Sequence, residues 1–243
     1  MAEFLLYGRT DYQEVLDFAA SLRETGERSG SARAVAFAAT VAGEARLLSG
    51  DVDQAMRDLA EGVDLHHHIG ANAGEALSLQ RLAEAHLELG EYDEALRLLD
   101  EALPLARWSA LSHHLIQRIY GTMIRATVDT DAARALVDKA ATAIGPSDMC
   151  IFCTVMIAVP SAIACADAGD LDEARRHLAM AEHSAMAWQG TAWPGALAEA
   201  RGHLALGEGN TADAASHFEE ASRLFARAGQ PLDARRCAAV GGQ

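Results

Sequence analysis

The sequence is poor in aromatic residues, proline and cysteine. Phe, Trp and Tyr make up 5% of its 243 residues, and it contains 5 prolines and 4 cysteines. Four irregularly spaced cysteines are too few for the disulfide framework of a small secreted domain. Alternating β-branched runs are also missing, which argues against strands. Half of the residues are apolar, and Ala and Leu are abundant, which favours closely packed helices.

Positive charge is scarce as well. The chain has 35 acidic residues against 20 Lys and Arg, a net charge of −15. Direct binding to nucleic acid or to an anionic membrane needs a basic face, so neither is expected. A basic partner, or one bound through apolar contacts, is easier electrostatically. Residues 1–10 lack the features of a signal peptide, so we expect a cytoplasmic protein.

One apolar segment reaches the minimum length of a membrane span. Residues 149–166 carry no charge. Asp148 and Asp167 flank this segment closely, and Pro160 lies within it. We therefore predict a buried helix that Pro160 kinks, and no membrane anchor.

A repeat of about forty residues organises the chain. Its clearest copy runs from Leu79 to Ala106, where a turn at Gly90–Glu91 joins two helices of apolar periodicity. Equivalent turns begin at positions 50, 128, 169 and 209. The third has lost its glycine, and Asp129 is predicted to cap the helix that follows it.

Small and large residues recur at fixed positions around each turn. A small residue precedes every turn at Gly43, Ala83, Gly121, Ala162 and Gly202. In the second helix, a large residue follows at Leu59, Leu99, Val137, Leu178 and Phe218. The spacing places these side chains on one stripe of each helix, so it predicts close helix packing and no chemistry.

These residues resemble the tetratricopeptide pattern over nearly the whole chain. The fold implied is all-α, a right-handed superhelical solenoid of about five tetratricopeptide-like helix pairs with a C-terminal capping helix. We expect a single domain over residues 1–243, beginning with a partial repeat at 1–30. The full repeats are expected at 31–70, 71–110, 111–146, 147–189 and 190–229. Residues 230–243 form the capping helix and tail, with Pro231 in the first turn of that helix.

Residues 113–126, 162–182 and 190–238 resemble a narrower group, the C-terminal helical region of large ATP-dependent LuxR-type, MalT-like transcription regulators. In that family the region is a sensor or interaction platform between an ATPase and a helix-turn-helix domain. This sequence has no G-x-x-x-x-G-K-[ST] loop and no room after Gln243 for a DNA-binding domain. The resemblance therefore implies a detached platform rather than a complete regulator.

The tetratricopeptide resemblance also implies a groove for a protein or peptide, lined by the first helix of each pair. The corresponding positions are Phe37, Thr40, Glu44, Leu77, Gln80, Glu84, Leu115, Arg118, Thr122, Arg125, Met156, Val159, Ile163, Asp167, Glu199 and His203. Two roles remain open for Arg118 and Arg125. They bind a carboxylate or phosphate of a ligand, or they pair with Glu84 and other groove acids.

A cysteine pair is the strongest candidate for chemistry. Cys150 and Cys153 are predicted in the first turn of a helix, where backbone amides stabilise a thiolate. By repeat register, His113, His114 and His183 share one edge of the solenoid with them, so a metal or redox role is one alternative. Structural zinc sites usually show four closely spaced ligands, however, so the main expectation is no metal and no cofactor.

Other polar groups have simpler interpretations. His66, His67 and His68 end a second helix, where they are expected to satisfy its last carbonyl groups. No catalytic motif is found, so an enzyme is not expected. The leading hypothesis is a protein- or peptide-interaction platform serving a transcription regulator. The alternatives are a domain that senses a small effector and a metal- or redox-responsive domain, and homodimerisation is left open.

Overall fold

The computed structural model describes residues 2–145 and 150–241. All secondary-structure elements in these ranges are α-helices. The predicted all-α class is therefore confirmed. The chain divides into two compact units. Unit 1 contains residues up to Leu6 together with 10–119, and unit 2 contains 7–9 together with 120–243.

Unit 1 is built from consecutive helices that pack against one another. They are α1 (Ala2–Leu6), α2 (Tyr12–Ser29), α3 (Ala32–Ser49), α4 (Val52–His68), α5 (Asn72–Glu88) and α6 (Tyr92–Arg107). The next helix, α7 (Ser112–Ala126), begins in unit 1 and ends in unit 2. The predicted second helix of a partial repeat corresponds to α2, whose first amides are capped by Asp11.

Unit 2 continues the same arrangement. Its helices are α8 (Thr130–Ile144), α9 (Thr154–Asp167), α10 (Leu171–Ala185), α11 (Ala192–Gly207), α12 (Thr211–Arg227) and α13 (Pro231–Gly241). As predicted, α13 begins at Pro231, and it packs against α12. A bilayer span would need a longer and more apolar helix than any in the part of the chain that the structure describes.

The turns within the pairs have the predicted chemistry. Gly50, Gly90, Gly169 and Gly209 all have positive φ angles, from 75° to 95°. Residues with a Cβ rarely adopt this conformation, which explains the recurring glycine. The turn that lacks glycine is stabilised differently: the Asp129 side chain accepts a hydrogen bond from the Ala132 amide at 2.8 Å. The predicted cap is confirmed.

The predicted packing stripe is also present. The five large residues of the second helices are all buried. A Cβ added to Gly43 would lie 2.5 Å from Leu59 Cγ, and one added to Gly202 would lie 2.8 Å from the Phe218 ring. Gly121 differs, because its added Cβ would overlap the carbonyl oxygen of Met156 in α9. Here the small residue allows α7 and α9, the first helices of two consecutive pairs, to approach each other.

Candidate functional site

Three predicted groove positions of unit 1 line one cavity. Phe37 on α3, Leu77 on α5 and Leu115 on α7 all border a space of about 750 Å³. Cavities of this size fit small molecules or large side chains. The 38- to 40-residue spacing of the three positions therefore brings equivalent residues of successive first helices to the same wall. We call this space the unit 1 cavity.

The mouth of the unit 1 cavity carries exposed apolar side chains from the loop after α6. Trp108 is 86% exposed and Leu111 is 48% exposed. Ser109 fixes this loop, because its hydroxyl donates to the Ala106 carbonyl at 2.9 Å and accepts from the Leu111 amide at 3.2 Å. Large apolar groups held at the edge of a cavity are typical of binding surfaces. Sequence reasoning missed both residues, since they lie between helices and outside the repeat pattern.

A buried histidine forms part of the lining. His66 is 4% exposed, and its ring packs so closely on α5 that a Cβ at Gly74 would overlap it. Neither ring nitrogen has a hydrogen-bond partner among the described residues. The sequence predicted only a helix-end role for His66 and its two neighbours. His68 Nδ1 lies 2.6 Å from the Asp64 carbonyl oxygen, one turn earlier in the helix, and the buried ring of His66 makes no such contact.

The surroundings of His66 disfavour its charged form. Burial lowers its pKa below the ordinary value of 6.5, and the positive charge of Arg33 lowers it further. Arg33 also lines the cavity. His66 is therefore a neutral ring in the folded protein at neutral pH, with the polarity of an imidazole and no net charge.

Stability is expected to fall when His66 must bind a proton. Below the unfolded-state pKa of about 6.5, the unfolded chain binds more protons at this residue than the folded chain, so the free energy of unfolding decreases as pH falls. In His66→Gln this contribution is lost. The free energy of unfolding of wild type, relative to that of His66→Gln, should therefore be lower at about pH 5 than at about pH 7.5.

Urea unfolding at several pH values measures this difference. His68→Gln is the matched control, because His68 is exposed at the end of the same helix. The pH profile of His66→Gln is compared with that of this control. If His66→Gln and His68→Gln give the same pH profile, His66 does not titrate as described.

The helices that carry the three cavity positions, α3, α5 and α7, also carry predicted groove residues that are polar and buried. Thr40 on α3 and Ser78 on α5 share a hydrogen bond of 2.8 Å between their hydroxyl oxygens. Gln80 accepts a hydrogen bond at 3.3 Å from Nε of Arg118. Thr40, Gln80 and Arg118 are each at most 5% exposed. These three positions therefore pack beneath the surface of unit 1.

Carboxylates and guanidiniums complete this polar layer. Arg81 donates to Glu44 at 2.7 Å and to Glu84 at 2.6 Å. A nitrogen of Arg118 lies 3.7 Å from the same oxygen of Glu44. Arg118 is thus engaged inside the protein, the second of the two roles that the sequence left open. The sequence pattern did not single out Arg81, because the family's groove positions do not include it.

In unit 2 the remaining positions are distributed over α7, α9 and α11. Thr122 and Val159 are buried, Met156 and Ile163 are half-buried, and Asp167 and Arg125 are exposed. His203 Nδ1 lies 2.8 Å from Asp167 Oδ1. The groove role of these positions stays a prediction.

Glu199 on α11 is engaged by the capping helix. It accepts two hydrogen bonds from Arg236 of α13, at 2.8 and 2.9 Å. Burial alone would raise the pKa of Glu199, but the charge of Arg236 and these hydrogen bonds lower it overall. The carboxylate is therefore ionised and holds α13 against α11.

The cysteine pair lies in a turn rather than in a helix. The prediction that it occupies the first turn was wrong, because α9 begins at Thr154 and the Cys150 carbonyl accepts from the amides of both Cys153 and Thr154 at 2.9 Å. Neither Cys150 nor Cys153 forms a disulfide, and their sulfur atoms lie within 4.8 Å of each other. Residues 146–149, which precede the pair, lie outside the described residues.

The three histidines considered with this pair take the predicted places in their helices. His113 and His114 lie in the first turn of α7 with their ring centroids 4.4 Å apart, and His183 is exposed near the end of α10. A metal or redox role for the cysteines stays a prediction.

Comparison with known proteins identifies the fold. The sequence matches no family model, and it matches no curated protein. The structure is similar to a thermophilic tetratricopeptide protein of Thermus thermophilus, with a TM-score of 0.53 and 17% identity over 85% of this chain and 98% of the other. At this identity the likeness shows the tetratricopeptide fold alone.

Two further solved structures share less of their geometry with this chain. A tetratricopeptide repeat protein of Parabacteroides merdae has a TM-score of 0.38 and 10% identity, over 91% of this chain and 98% of its own. The TPR2AB domain of yeast Sti1, solved as a pHSP90 complex, has a TM-score of 0.30 and 12% identity, over 95% of this chain and 100% of its own.

Proposed function

We propose that this chain is a non-catalytic interaction protein of the cytoplasm, and that the unit 1 cavity receives apolar side chains of a partner protein or peptide. The observation that carries the proposal is the convergence of Phe37, Leu77 and Leu115, from three successive first helices, on one cavity. Trp108 and Leu111 extend the apolar surface at its mouth. Aromatic and aliphatic anchors of this kind supply most of the binding energy at protein interfaces.

The chemistry of the lining defines the partner. The walls are mainly apolar, and Arg33 adds a guanidinium. The buried polar layer formed by Glu44, Gln80, Arg81 and Arg118 is satisfied by contacts within the protein. Recognition therefore depends on apolar anchors, as in a helix or an extended peptide that places one or two large side chains in a groove.

A pair of variants tests this proposal. Leu111 lines the cavity and Leu89 does not, yet both are 48% exposed. Peptides are first selected from a random display library on the wild-type protein. Because burial of a leucine contributes about 1.5 kcal/mol, Leu111→Glu should weaken their binding about tenfold or more, whereas Leu89→Glu should leave it nearly unchanged.

Isothermal titration calorimetry measures both effects. Selection that yields no binding peptide, or peptides whose affinity is equally insensitive to both substitutions, would count against the unit 1 cavity as the binding site. Circular dichroism of each variant separates loss of the site from loss of the fold.

A second candidate function is the sensing of a small effector. The volume of the cavity supports it, because about 750 Å³ lies within the range of small-molecule sites. A thermal-shift screen distinguishes the two functions: a compound that fills the cavity should raise the melting temperature of wild type and not that of Leu111→Glu. A screen without such compounds favours the protein partner.

The narrower proposal is that the partner or effector acts on a transcription regulator. It rests on the resemblance of residues 113–126, 162–182 and 190–238 to the helical region of LuxR-type regulators. Deletion of the gene should then change the transcript levels of a small set of operons, and unchanged transcripts would argue against it.

A further inference from the structure

Tyr7 packs into an aromatic cluster of unit 2. Its ring stacks on Trp193 with 4.7 Å between ring centroids and an interplanar angle of 28°, and it meets Trp188 edge-on at 6.0 Å. Phe152 meets Trp188 edge-on at 6.1 Å. Phe152, Trp188, Gly190 and Trp193 form what we call the aromatic slot. Tyr7 is 8% exposed, so the slot buries most of it.

Hydrogen bonds that do not involve Tyr7 hold the walls of the slot. The Trp188 indole donates to the Phe152 carbonyl at 3.0 Å. The Ser184 hydroxyl accepts from the Val155 amide at 2.9 Å and also contacts the carbonyl of Ile151. The turn before α9 is thus tied to the end of α10, and the slot is preorganised for its occupant.

The slot accepts a peptide backbone as well as a ring. Gly190 has a φ of 104°, and a Cβ added there would overlap the carbonyl oxygen of Gly8. Any side chain at this position would exclude the segment that carries Tyr7. An aromatic ring held between indoles, with its backbone resting on a glycine, is the geometry of peptide recognition.

One polar group of the slot is left unsatisfied. Nε1 of Trp193 is buried and has no hydrogen-bond partner among the described residues. A buried indole N–H normally finds an acceptor. An occupant that placed a carbonyl or carboxylate oxygen within hydrogen-bond distance of this nitrogen would satisfy it.

We propose that the aromatic slot is a binding site for an extended peptide of a partner protein that carries a tyrosine, and that Tyr7 and Gly8 occupy it in cis as a displaceable ligand. The occupying segment has no helix or strand, and Tyr7 is its aromatic anchor. A tethered segment of this kind has an effective concentration on the order of millimolar, which a partner peptide of higher affinity overcomes. The slot shares no residue with the unit 1 cavity, so this proposal does not rest on the proposed function.

Anisotropy with a labelled synthetic peptide tests the proposal. The peptide EFLLYGRT copies residues 3–10. It should bind full-length Tyr7→Ala at least tenfold more tightly than wild type, because the variant leaves the slot empty. The same peptide with its tyrosine replaced by alanine should not bind. Adding Gly190→Ala to Tyr7→Ala should weaken binding at least tenfold.

Each alternative outcome decides against the proposal. Binding to folded Tyr7→Ala that is no tighter than binding to wild type overturns it. A wild-type dimer in light scattering that Tyr7→Ala dissociates overturns it too, since a second copy would then supply the tyrosine. If circular dichroism shows that Tyr7→Ala is unfolded, Tyr7→Leu replaces it. The peptide should then bind Tyr7→Leu at least tenfold more tightly than wild type, and weaker binding overturns the proposal.

Discussion

Glu44→Gln is expected to destabilise the protein by about 3 kcal/mol or more, because it removes a buried negative charge that faces two arginines. Glu44 is 1% exposed, and one of its oxygens lies 2.7 Å from Arg81 and 3.7 Å from Arg118. Glutamine has nearly the same shape, so no cavity contributes to the effect. The loss comes from the guanidiniums, which stay buried while part of their compensating charge is gone.

Urea unfolding measures this loss as a lower midpoint with an unchanged slope. Glu101→Gln is the matched control, because Glu101 also pairs with an arginine, Arg97 at 3.1 Å, but is about half exposed. Exposed ion pairs contribute little, so its midpoint should stay close to that of wild type. If the two variants unfold at the same urea concentration, the buried polar layer of unit 1 does not depend on the charge of Glu44.

The result at Glu44 also bears on how the groove positions should be understood. Three of the positions carried over from the family, Phe37, Leu77 and Leu115, border one cavity. Two other positions carried over from the family, Glu44 and Arg118, are buried, and their groove role stays a prediction. Spacing predicts which helix face a residue occupies, but depth along that face depends on how closely neighbouring helices approach.

The fold itself was predictable because it depends on local features that repeat. Turn glycines with positive φ, the cap at Asp129 and the buried stripe from Leu59 to Phe218 each follow from short sequence patterns. Contacts between distant residues that do not follow the repeat were not predictable. No pattern links Tyr7 to Trp193, or His66 to the lining of a cavity, because neither contact repeats along the chain.

The repeat pattern and the structure predict opposite effects of Gly121→Ala on stability. The repeat has alanine at the equivalent positions 83 and 162. From the pattern alone, Gly121→Ala should be neutral or stabilising by up to about 1 kcal/mol, since alanine is the better helix former. In the structure a Cβ at this position would overlap the Met156 carbonyl oxygen, a backbone atom that cannot rotate away. We expect Gly121→Ala to destabilise by about 2 kcal/mol, because α7 and α9 must move apart.

Thermal unfolding decides between the two expectations, since a loss of 2 kcal/mol lowers the melting temperature of a protein of this size by about 4–8 °C. Gly195→Ala is the control: it also lies within a helix, but its added Cβ would be 3.2 Å from the Phe225 ring, a side chain that can shift. Its melting temperature should change by no more than about 2 °C. A melting temperature for Gly121→Ala at or above that of wild type would show that α7 and α9 tolerate a methyl group between them. The repeat pattern would then predict the effect of the substitution correctly, and the close contact between α7 and α9 would not.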